Sequence, residues 1–170
     1  MAIQNKMSKY LFWADSTIWN IVQTLTDEEY TRNLCENGGS IQKRYVHLAE
    51  DMWEWYHDWI GKDAIEEPDF MAMPREKIFA TIKKYNQLFS DMIEDRSVDH
   101  IKIESGEGKV QITFEEILFH LVNHATYHRG QIVMGLRILE RNVVMTDYIP
   151  YRMHHAKTDR YLVQDDDNGV

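Results

Sequence analysis

Apolar residues recur at intervals of three and four positions in four segments of this chain, and no other feature of the sequence constrains the fold as strongly. Residues spaced in this way share one side of an α-helix. The segments cover residues 6–25, 40–60, 74–94 and 113–140. Only three prolines and eight glycines occur in the 170 residues, so long helices are permitted. Because such helices cannot bury their apolar sides alone, the sequence predicts an all-α four-helix bundle.

The boundaries of these helices have local signals. Ser40 is a suitable N-cap for the second helix, and Thr113 with Glu116 has the spacing of a capping box at the start of the fourth. Residues 26–39 are polar and include the breaker Asn37-Gly38-Gly39. This composition predicts an irregular connection between the first and second helices.

The pattern changes from helical to alternating just before the fourth helix. Residues 100–104 and 110–112 alternate around a turn at residues 105–108, which predicts a small β-hairpin inserted before that helix. The sequence contains no internal repeat and no linker long enough to divide it. We therefore expect one domain over residues 1–155, followed by an acidic C-terminal tail over residues 156–170.

The net charge of −9 restricts the classes of partner. Binding to nucleic acid backbones or anionic membrane surfaces needs clustered lysine and arginine, so we expect no nucleic acid and no membrane partner. No stretch approaches the roughly 20 consecutive apolar residues of a membrane span. Charged residues interrupt the apolar runs near the N-terminus, and the single cysteine, Cys35, excludes an internal disulfide. These features predict a cytoplasmic protein.

Two histidines of the fourth helix have the spacing of metal ligands. His124 and His128 lie four residues apart, so on a helix both imidazoles can reach one divalent cation. His120 lies one turn before His124 on the same flank of the apolar side. The spacing alone is equally compatible with hydrogen-bonded histidines at the edge of the core. A catalytic metal site would need a third ligand and open coordination positions.

The polar side of the second helix contains one further histidine. Its residues that fall close to one line are Ser40, Arg44, His47, Asp51, Glu54 and Asp58. Periodicity alone favours a solvated surface for this line and does not identify His47 as a ligand. The other histidines are expected to be surface residues: His57, His100, His154 and His155.

Residues 120–132, with the core Asn-His-x3-His-Arg-Gly-Gln, closely resemble the signature of the DinB family of DinB/YfiT-like metalloenzymes. The resemblance extends to residues 10–29, to residues 39–50 and to the short acidic and aromatic segment at residues 147–151. It thus covers most of the chain between residues 6 and 152. The core of the signature is specific, whereas two histidines four residues apart are not.

The resemblance implies a fold and a metal site. The fold is an up-up-down-down four-helix bundle that often forms a homodimer. The site holds a divalent metal ion through one histidine of the second helix and two of the fourth. By position these ligands are His47, His124 and His128. Nitrogen ligands suit zinc, nickel or iron(II).

Neighbouring residues are candidates for supporting roles. Asp51, one turn beyond His47, and the adjacent Glu50 could orient an imidazole or accept a proton. His120 is a weaker candidate for a base, the alternative being a histidine that forms hydrogen bonds at the helix edge. Arg129 is expected to anchor a carboxylate or the C-terminal segment. Gly130 is expected to permit a close approach between helices.

The resemblance leaves several functions open. One is a metal-dependent enzyme acting on a small-molecule substrate, either an S-transferase that uses a low-molecular-weight thiol or a hydrolase. The alternative is a non-catalytic, metal-binding, stress-associated dimeric helical protein. A helical interaction module without metal is a third interpretation. No residue of the sequence selects among these reactions, and the acidic charge argues against direct DNA binding.

Overall fold

The computed structural model describes residues 3–34, 39–61, 65–93, 100–105 and 108–155. Within these residues the fold is mostly helical, with one small antiparallel sheet. The predictions made for Cys35, for Asn37 and Gly38 and for the acidic tail lie outside the described residues.

The four predicted helices are present, and each observed boundary lies within three residues of the expected one. The described helices are α1 (Ile3–Val22), α2 (Asp27–Thr31), α3 (Ile41–Trp59), α4 (Arg75–Met92), α5 (Phe114–Ile138) and α6 (Tyr148–His155). The strands are β1 (His100–Ser105) and β2 (Gly108–Thr113), and a short 3-10 turn covers Phe70–Ala72. None of the described helices is long and apolar enough to cross a membrane.

The start signals of α3 and α5 act as predicted. The Ser40 hydroxyl accepts a hydrogen bond from the Lys43 N–H at 3.2 Å. The Thr113 hydroxyl accepts from the Glu116 N–H, and the Glu116 carboxylate accepts from the Thr113 N–H at 2.8 Å. These bonds satisfy N–H groups that have no partner within the first turn of a helix.

Two short helices were not predicted. The connection between α1 and α3, which was expected to be irregular, contains α2. Thr26 and Glu29 form a reciprocal capping box at the start of this helix. The acidic and aromatic segment after α5 forms α6. The Thr-x-x-Glu spacing at residues 26–29 is the same signal that identified the start of α5, so the sequence did contain the information for α2.

Aromatic side chains join α1, α3 and α4 in the core. Trp19 of α1 stacks on Phe79 of α4 with ring centroids 4.4 Å apart, and Tyr45 of α3 contacts both rings at 5.4 and 6.3 Å. All three residues are at least nine-tenths buried. On α5, Ile117, Leu121, Ile132 and Leu136 are buried in the same cluster. The four long helices therefore share one hydrophobic core.

The contacts between these helices also define their directions. Between α3 and α4, Tyr45 contacts Phe79 and Tyr56 contacts Phe89. Between α1 and α4, Trp19 contacts Phe79 and Asp15 contacts Asn86. Between α3 and α5, Ile41 lies next to Gly135 and Trp59 contacts Phe114. By these pairs α3 and α4 are parallel, α1 is antiparallel to α4, and α5 is antiparallel to α3. The order along the chain is up, down, down, up.

This order differs from the up-up-down-down order that the resemblance implied. The physical reason lies in the connection between α3 and α4, residues 60–74. A helix of 19 residues is about 28 Å long. An extended segment of the length of this connection can span about 50 Å, so the chain can return to the starting end before α4 begins. Phe70, buried within the connection, fixes its path along the core.

The predicted β-hairpin is present immediately before α5. β1 pairs with β2 in antiparallel register, with Ile101 opposite Ile112 and Ile103 opposite Val110. Ile101 and Ile112 pack against the main core, whereas Val110 is exposed. Val110 and Ile112 share a face of the strand, so the hairpin attaches to the core through its base next to α5, and the part nearer its turn extends into solvent.

A buried ion pair links α5 to α1. The Arg129 guanidinium donates to Asp15 Oδ1 at 2.7 Å and to Thr126 Oγ1 at 2.8 Å. It also contacts the Tyr10 hydroxyl, which donates to the Thr146 carbonyl at 2.9 Å. Burial raises the pKa of the Asp15 carboxyl, and the facing guanidinium opposes that rise. Arg129 therefore anchors a carboxylate, one of the two roles expected from the sequence, and reaches the C-terminal segment indirectly, through Tyr10.

We expect the substitution Arg129→Met to lower the free energy of unfolding by about 3–5 kcal/mol, because it leaves the buried Asp15 carboxylate without its charged partner. Chemical denaturation monitored by circular dichroism measures this. The matched control is Arg137→Met on the exposed side of the same helix, for which we expect a change within about 0.5 kcal/mol. Equal losses in the two variants would contradict a stabilising role for the pair.

The close approach between helices occurs at Gly135 and not at Gly130. A Cβ atom at Gly135 would lie 2.9 Å from Leu34 Cδ1 and 3.3 Å from Ile41 Cγ1. A Cβ atom at Gly130 would meet no described atom within 4 Å. The expectation for Gly130 is therefore wrong, because that residue is on an exposed part of α5.

We expect Gly135→Val to lower the free energy of unfolding by about 1–3 kcal/mol, since the added side chain overpacks the contact with Leu34 and Ile41. Gly130→Val, on the same helix but facing open space, should change it by less than about 0.5 kcal/mol. Thermal and urea denaturation of the two variants provide the measurement. A larger loss at Gly130 than at Gly135 would mean that the helices are packed differently.

Candidate metal centre

The antiparallel packing of α3 against α5 brings three histidines together. His47 extends from α3, and His124 and His128 extend from successive turns of α5. The ring centroids are 5.1 Å apart for His47 and His124, 4.7 Å for His47 and His128, and 4.4 Å for His124 and His128. One ring nitrogen from each lies within 4.8 Å of the others. This is the arrangement expected of three side chains that can bind one ion.

The cluster is buried at one end and open at the other. His128 is 4% exposed, the His124 side chain is 21% exposed and the His47 side chain is 45% exposed. A solute can therefore approach from the side of His47. This gradient is compatible with a site that keeps coordination positions accessible.

Burial keeps two of the three imidazoles neutral at physiological pH. It lowers the pKa of His128 to about 4, against the opposing effect of a hydrogen bond from the ring to Gln131. Burial also lowers the pKa of His124, although the nearby Asp51 carboxylate acts in the opposite direction. Neutral imidazoles have the free lone pair that metal binding requires.

Gln131 fixes the orientation of His128. The distance from His128 Nδ1 to the Gln131 amide oxygen is 2.8 Å, so Nδ1–H is assigned as the donor and Nε2 carries the lone pair. Such a hydrogen bond is typical of metal-binding histidines, whose second nitrogen needs an acceptor. Gln131 is part of the family signature, but this role was not identified from the sequence. The signal was its spacing of three residues from His128.

Glu50 and Asp51 occupy different parts of the site. Glu50 Oε2 lies 4.0 Å from His47 Nδ1. Asp51 Oδ1 lies instead 3.7 Å from His120 Nε2 and 3.9 Å from His124 Nε2. Of the two carboxylates considered for orienting His47, only Glu50 is placed next to it.

Trp55 holds the Asp51 carboxylate in place. Its indole N–H donates to Asp51 Oδ1 at 3.2 Å, and its ring lies 5.2 Å from the His120 ring. His120 stacks on His124 at 5.2 Å with an interplanar angle of 24°. Asp51 and His120, both candidates from the sequence, are thus adjacent to the three-histidine cluster and to each other. Sequence reasoning did not identify Trp55, four residues after Asp51.

A divalent cation fits the donor set of this cluster. His124 Nε2 is buried and has no hydrogen-bond partner in the described part of the protein. A buried nitrogen without a partner costs about 1–3 kcal/mol, which bonding to a cation would offset. Three imidazole nitrogens are also a donor set that zinc, nickel and iron(II) accept. The geometry and the chemistry of the residues therefore agree.

A cavity of about 490 Å³ lies between the start of α3 and the second half of α5, on the side of Gln131 away from the open end of the cluster, and the three histidines do not line it. Its walls are mostly apolar, and they include Leu34, Ile41, Ile132, Met134 and Ile138. Arg44 and Gln131 line the cavity as well, and both interact with His128. The volume lies in the range of small-molecule binding sites.

The other described histidines lie outside this cluster. His57, expected at the surface, is buried between aromatic rings, and its Nδ1 is 2.7 Å from the Trp53 carbonyl. His155 packs against Tyr151 at 4.5 Å in α6. His154 is exposed, as expected. The expectation for His57 is corrected because its ring contributes to the core between α3 and α4.

Comparisons with known proteins agree on one family. Residues 1–160 match the DinB family. The protein DinB of Bacillus subtilis is 26% identical over 166 residues, covering 91% of this chain and 96% of that protein. YizA of the same organism is 26% identical over 132 residues, covering 74% of this chain and 80% of YizA. A crystal structure assigned to the DinB family, from Exiguobacterium sibiricum, has a TM-score of 0.64 at 16% identity, covering 85% of this chain and 97% of that one.

The depressed pKa of His128 predicts how stability depends on pH in chelator-treated protein. The unfolded chain binds a proton near the ordinary value of 6.5, whereas the folded protein does so only at about 4. Between these values the unfolded state binds more protons, so the free energy of unfolding falls as the pH is lowered from 6.5 towards 4. Urea denaturation at pH 7.5 and pH 5 measures the loss.

The substitution His128→Asn should reduce the fall in the free energy of unfolding between pH 7.5 and pH 5, because it removes the titrating ring. The exposed His154→Asn variant should keep the pH dependence of the wild type. Equal pH dependence in wild type and His128→Asn would contradict the burial argument.

Proposed function

The chain belongs to the DinB family, and from this premise we propose that it is a divalent-metal-dependent enzyme whose ion is bound by His47, His124 and His128. The observation that carries the proposal is the convergence of these side chains from two helices, with one nitrogen of each within 4.8 Å of the others. The buried, unpartnered Nε2 of His124 supports it independently.

The chain's own residues prepare this site for an ion. Gln131 directs the lone pair of His128 to Nε2, and burial keeps His128 and His124 unprotonated. A divalent ion held there would supply positive charge that polarises a substrate oxygen or stabilises a thiolate. Asp51 and His120, adjacent to the ligands, are the groups placed to accept or hold a proton at the carboxylate oxygen or the ring nitrogen.

The cavity between α3 and α5 supports a small-molecule substrate. Its apolar walls suit a hydrophobic body, and Arg44 supplies positive charge beside His128. An S-transferase that uses a low-molecular-weight thiol and a hydrolase of a small anionic substrate are both compatible with this cavity. Among metals, the nitrogen-only ligand set suits zinc, nickel or iron(II).

We further propose a four-helix bundle that forms a single domain over residues 1–155, and a cytoplasmic location, both expected from the sequence. The family resemblance adds the proposal of a homodimer. The alternative function is a non-catalytic, metal-binding, stress-associated dimeric helical protein. The accessible His47 side of the cluster favours the enzyme over this alternative, because a structural metal site is closed by protein ligands.

Elemental analysis of tag-free protein tests the metal site. After loading with zinc, we expect one zinc ion per chain in the wild type and none after His47→Ala, His124→Ala or His128→Ala, because each variant removes a ligand. The helical circular dichroism signal should persist in each. His154→Ala, at an exposed position, is the matched control and should keep the ion. A wild type that takes up neither zinc, nickel nor iron(II) would rule out the metal site.

Activity assays then separate the enzyme from the alternative. Metal-loaded protein is tested for conjugation of small thiols to electrophiles and for hydrolysis of small esters and amides. The enzyme proposal expects turnover that His124→Ala abolishes and His154→Ala preserves. A fully loaded protein without turnover in either assay, and with no solvent exchange at the ion, would favour the non-catalytic alternative.

A further inference from the structure

We propose that the groove between α3 and α5 contains a second cation position, formed by Asp51, His120 and His124, which takes iron(II) or manganese(II). It shares His124 with the three-histidine site. Its other two ligands, Asp51 and His120, are not ligands of the three-histidine site. The proposal rests on the proposed function only through that shared histidine.

The distances between Asp51 and the two histidines point to a shared ion more than to direct hydrogen bonds between these side chains. Its Oδ1 atom lies 3.7 Å from His120 Nε2 and 3.9 Å from His124 Nε2. Both distances exceed the range of an N–H···O hydrogen bond. Ligands of one ion bound at about 2.1 Å are separated by about 3–3.5 Å, so small side-chain movements would complete the set. The three donor atoms already lie within 4.8 Å of one another.

Neighbouring side chains hold these donors in place. The Trp55 N–H donates to Asp51 Oδ1 at 3.2 Å, which restricts the carboxylate. His120 lies between the Trp55 ring and the His124 ring, at 5.2 Å from each. The Nε2 atom of His124 is buried without a hydrogen-bond partner among the described residues, so this nitrogen is available.

The position is also accessible. The His120 side chain is 41% exposed, whereas the Asp51 side chain is 13% exposed. An ion can therefore enter past His120 and meet a carboxylate that is largely removed from water. Partial burial strengthens the attraction between a carboxylate and a divalent ion.

The donor types distinguish the two positions. Two histidines and one carboxylate with open coordination positions are the set that non-haem iron(II) enzymes use, and a carboxylate oxygen also suits manganese(II). The three-histidine set is neutral and contains only nitrogen. Because His124 offers its nitrogen to one ion at a time, the two positions are mutually exclusive, and the identity of the available metal determines which is filled.

The test isolates the second position by removing the first. The full chain carrying both His47→Ala and His128→Ala keeps Asp51, His120 and His124 but retains only one ligand of the three-histidine site. Manganese(II) binding is measured by equilibrium dialysis and by the loss of the free manganese(II) electron paramagnetic resonance signal. We expect one manganese(II) per double-variant chain, and loss of this ion when Asp51→Asn or His120→Ala is added.

The matched control is Glu54→Gln in the same double-variant background. Glu54 is an exposed carboxylate on the same helix that interacts electrostatically with Asp51, so its removal lowers the local negative charge without removing a ligand. Manganese(II) should stay bound in this control. If Glu54→Gln lost as much bound manganese(II) as Asp51→Asn, the loss would follow from the reduced negative charge and not from the removal of a ligand. That result would overturn the proposal.

The outcomes also separate this proposal from the three-histidine site. A folded double variant that binds neither manganese(II) nor iron(II) overturns the second position, while wild-type zinc binding would leave the first intact. If the double variant does not fold, single Asp51→Asn replaces it. Its manganese(II) affinity should then fall by roughly 10- to 100-fold, with a smaller change for zinc. Equal changes for the two metals would overturn the proposal.

Discussion

The packing of α3 against α5 is the contact on which the candidate site depends. In this antiparallel packing, Arg44, His47 and Asp51 on the polar line of α3 face the histidine flank of α5. Trp59 against Phe114 fixes one end of the contact, and Ile41 against Gly135 fixes the other. The glycine matters because a side chain there would crowd Leu34 and Ile41 at that end of the contact. Core packing thus sets the distances within the site.

Burial then favours the unprotonated form of the histidine rings, which is the form that binds a metal ion. An imidazole in water would be partly protonated near neutral pH, and a protonated ring cannot bind a cation. The decline in exposure from His47 to His128 favours neutral rings at the inner end and access for solutes at the outer end. Asp51 adds a carboxylate at one side of the cluster, and Arg44 adds positive charge at the other. The electrostatic potential of the groove therefore changes from negative near Asp51 to positive near Arg44.

Much of this architecture follows from local patterns, but the site does not. Periodicity and capping residues locate the four long helices, and the i, i+4 spacing places His124 and His128 side by side. Spacing could not nominate His47, because its polar line is typical of a solvated surface; only the family resemblance did. The close contact at Gly135 and the parallel direction of α3 and α4 depend on tertiary packing, which periodicity does not encode.

The most direct test of the account is a crystal structure of metal-loaded, tag-free protein with anomalous scattering recorded at the absorption edge of the bound metal. The account predicts, for zinc or nickel, one strong peak within about 2.0–2.1 Å of a nitrogen of each of His47, His124 and His128. A peak elsewhere in the protein, or fully loaded crystals in which these three rings make no contact with the metal, would contradict it.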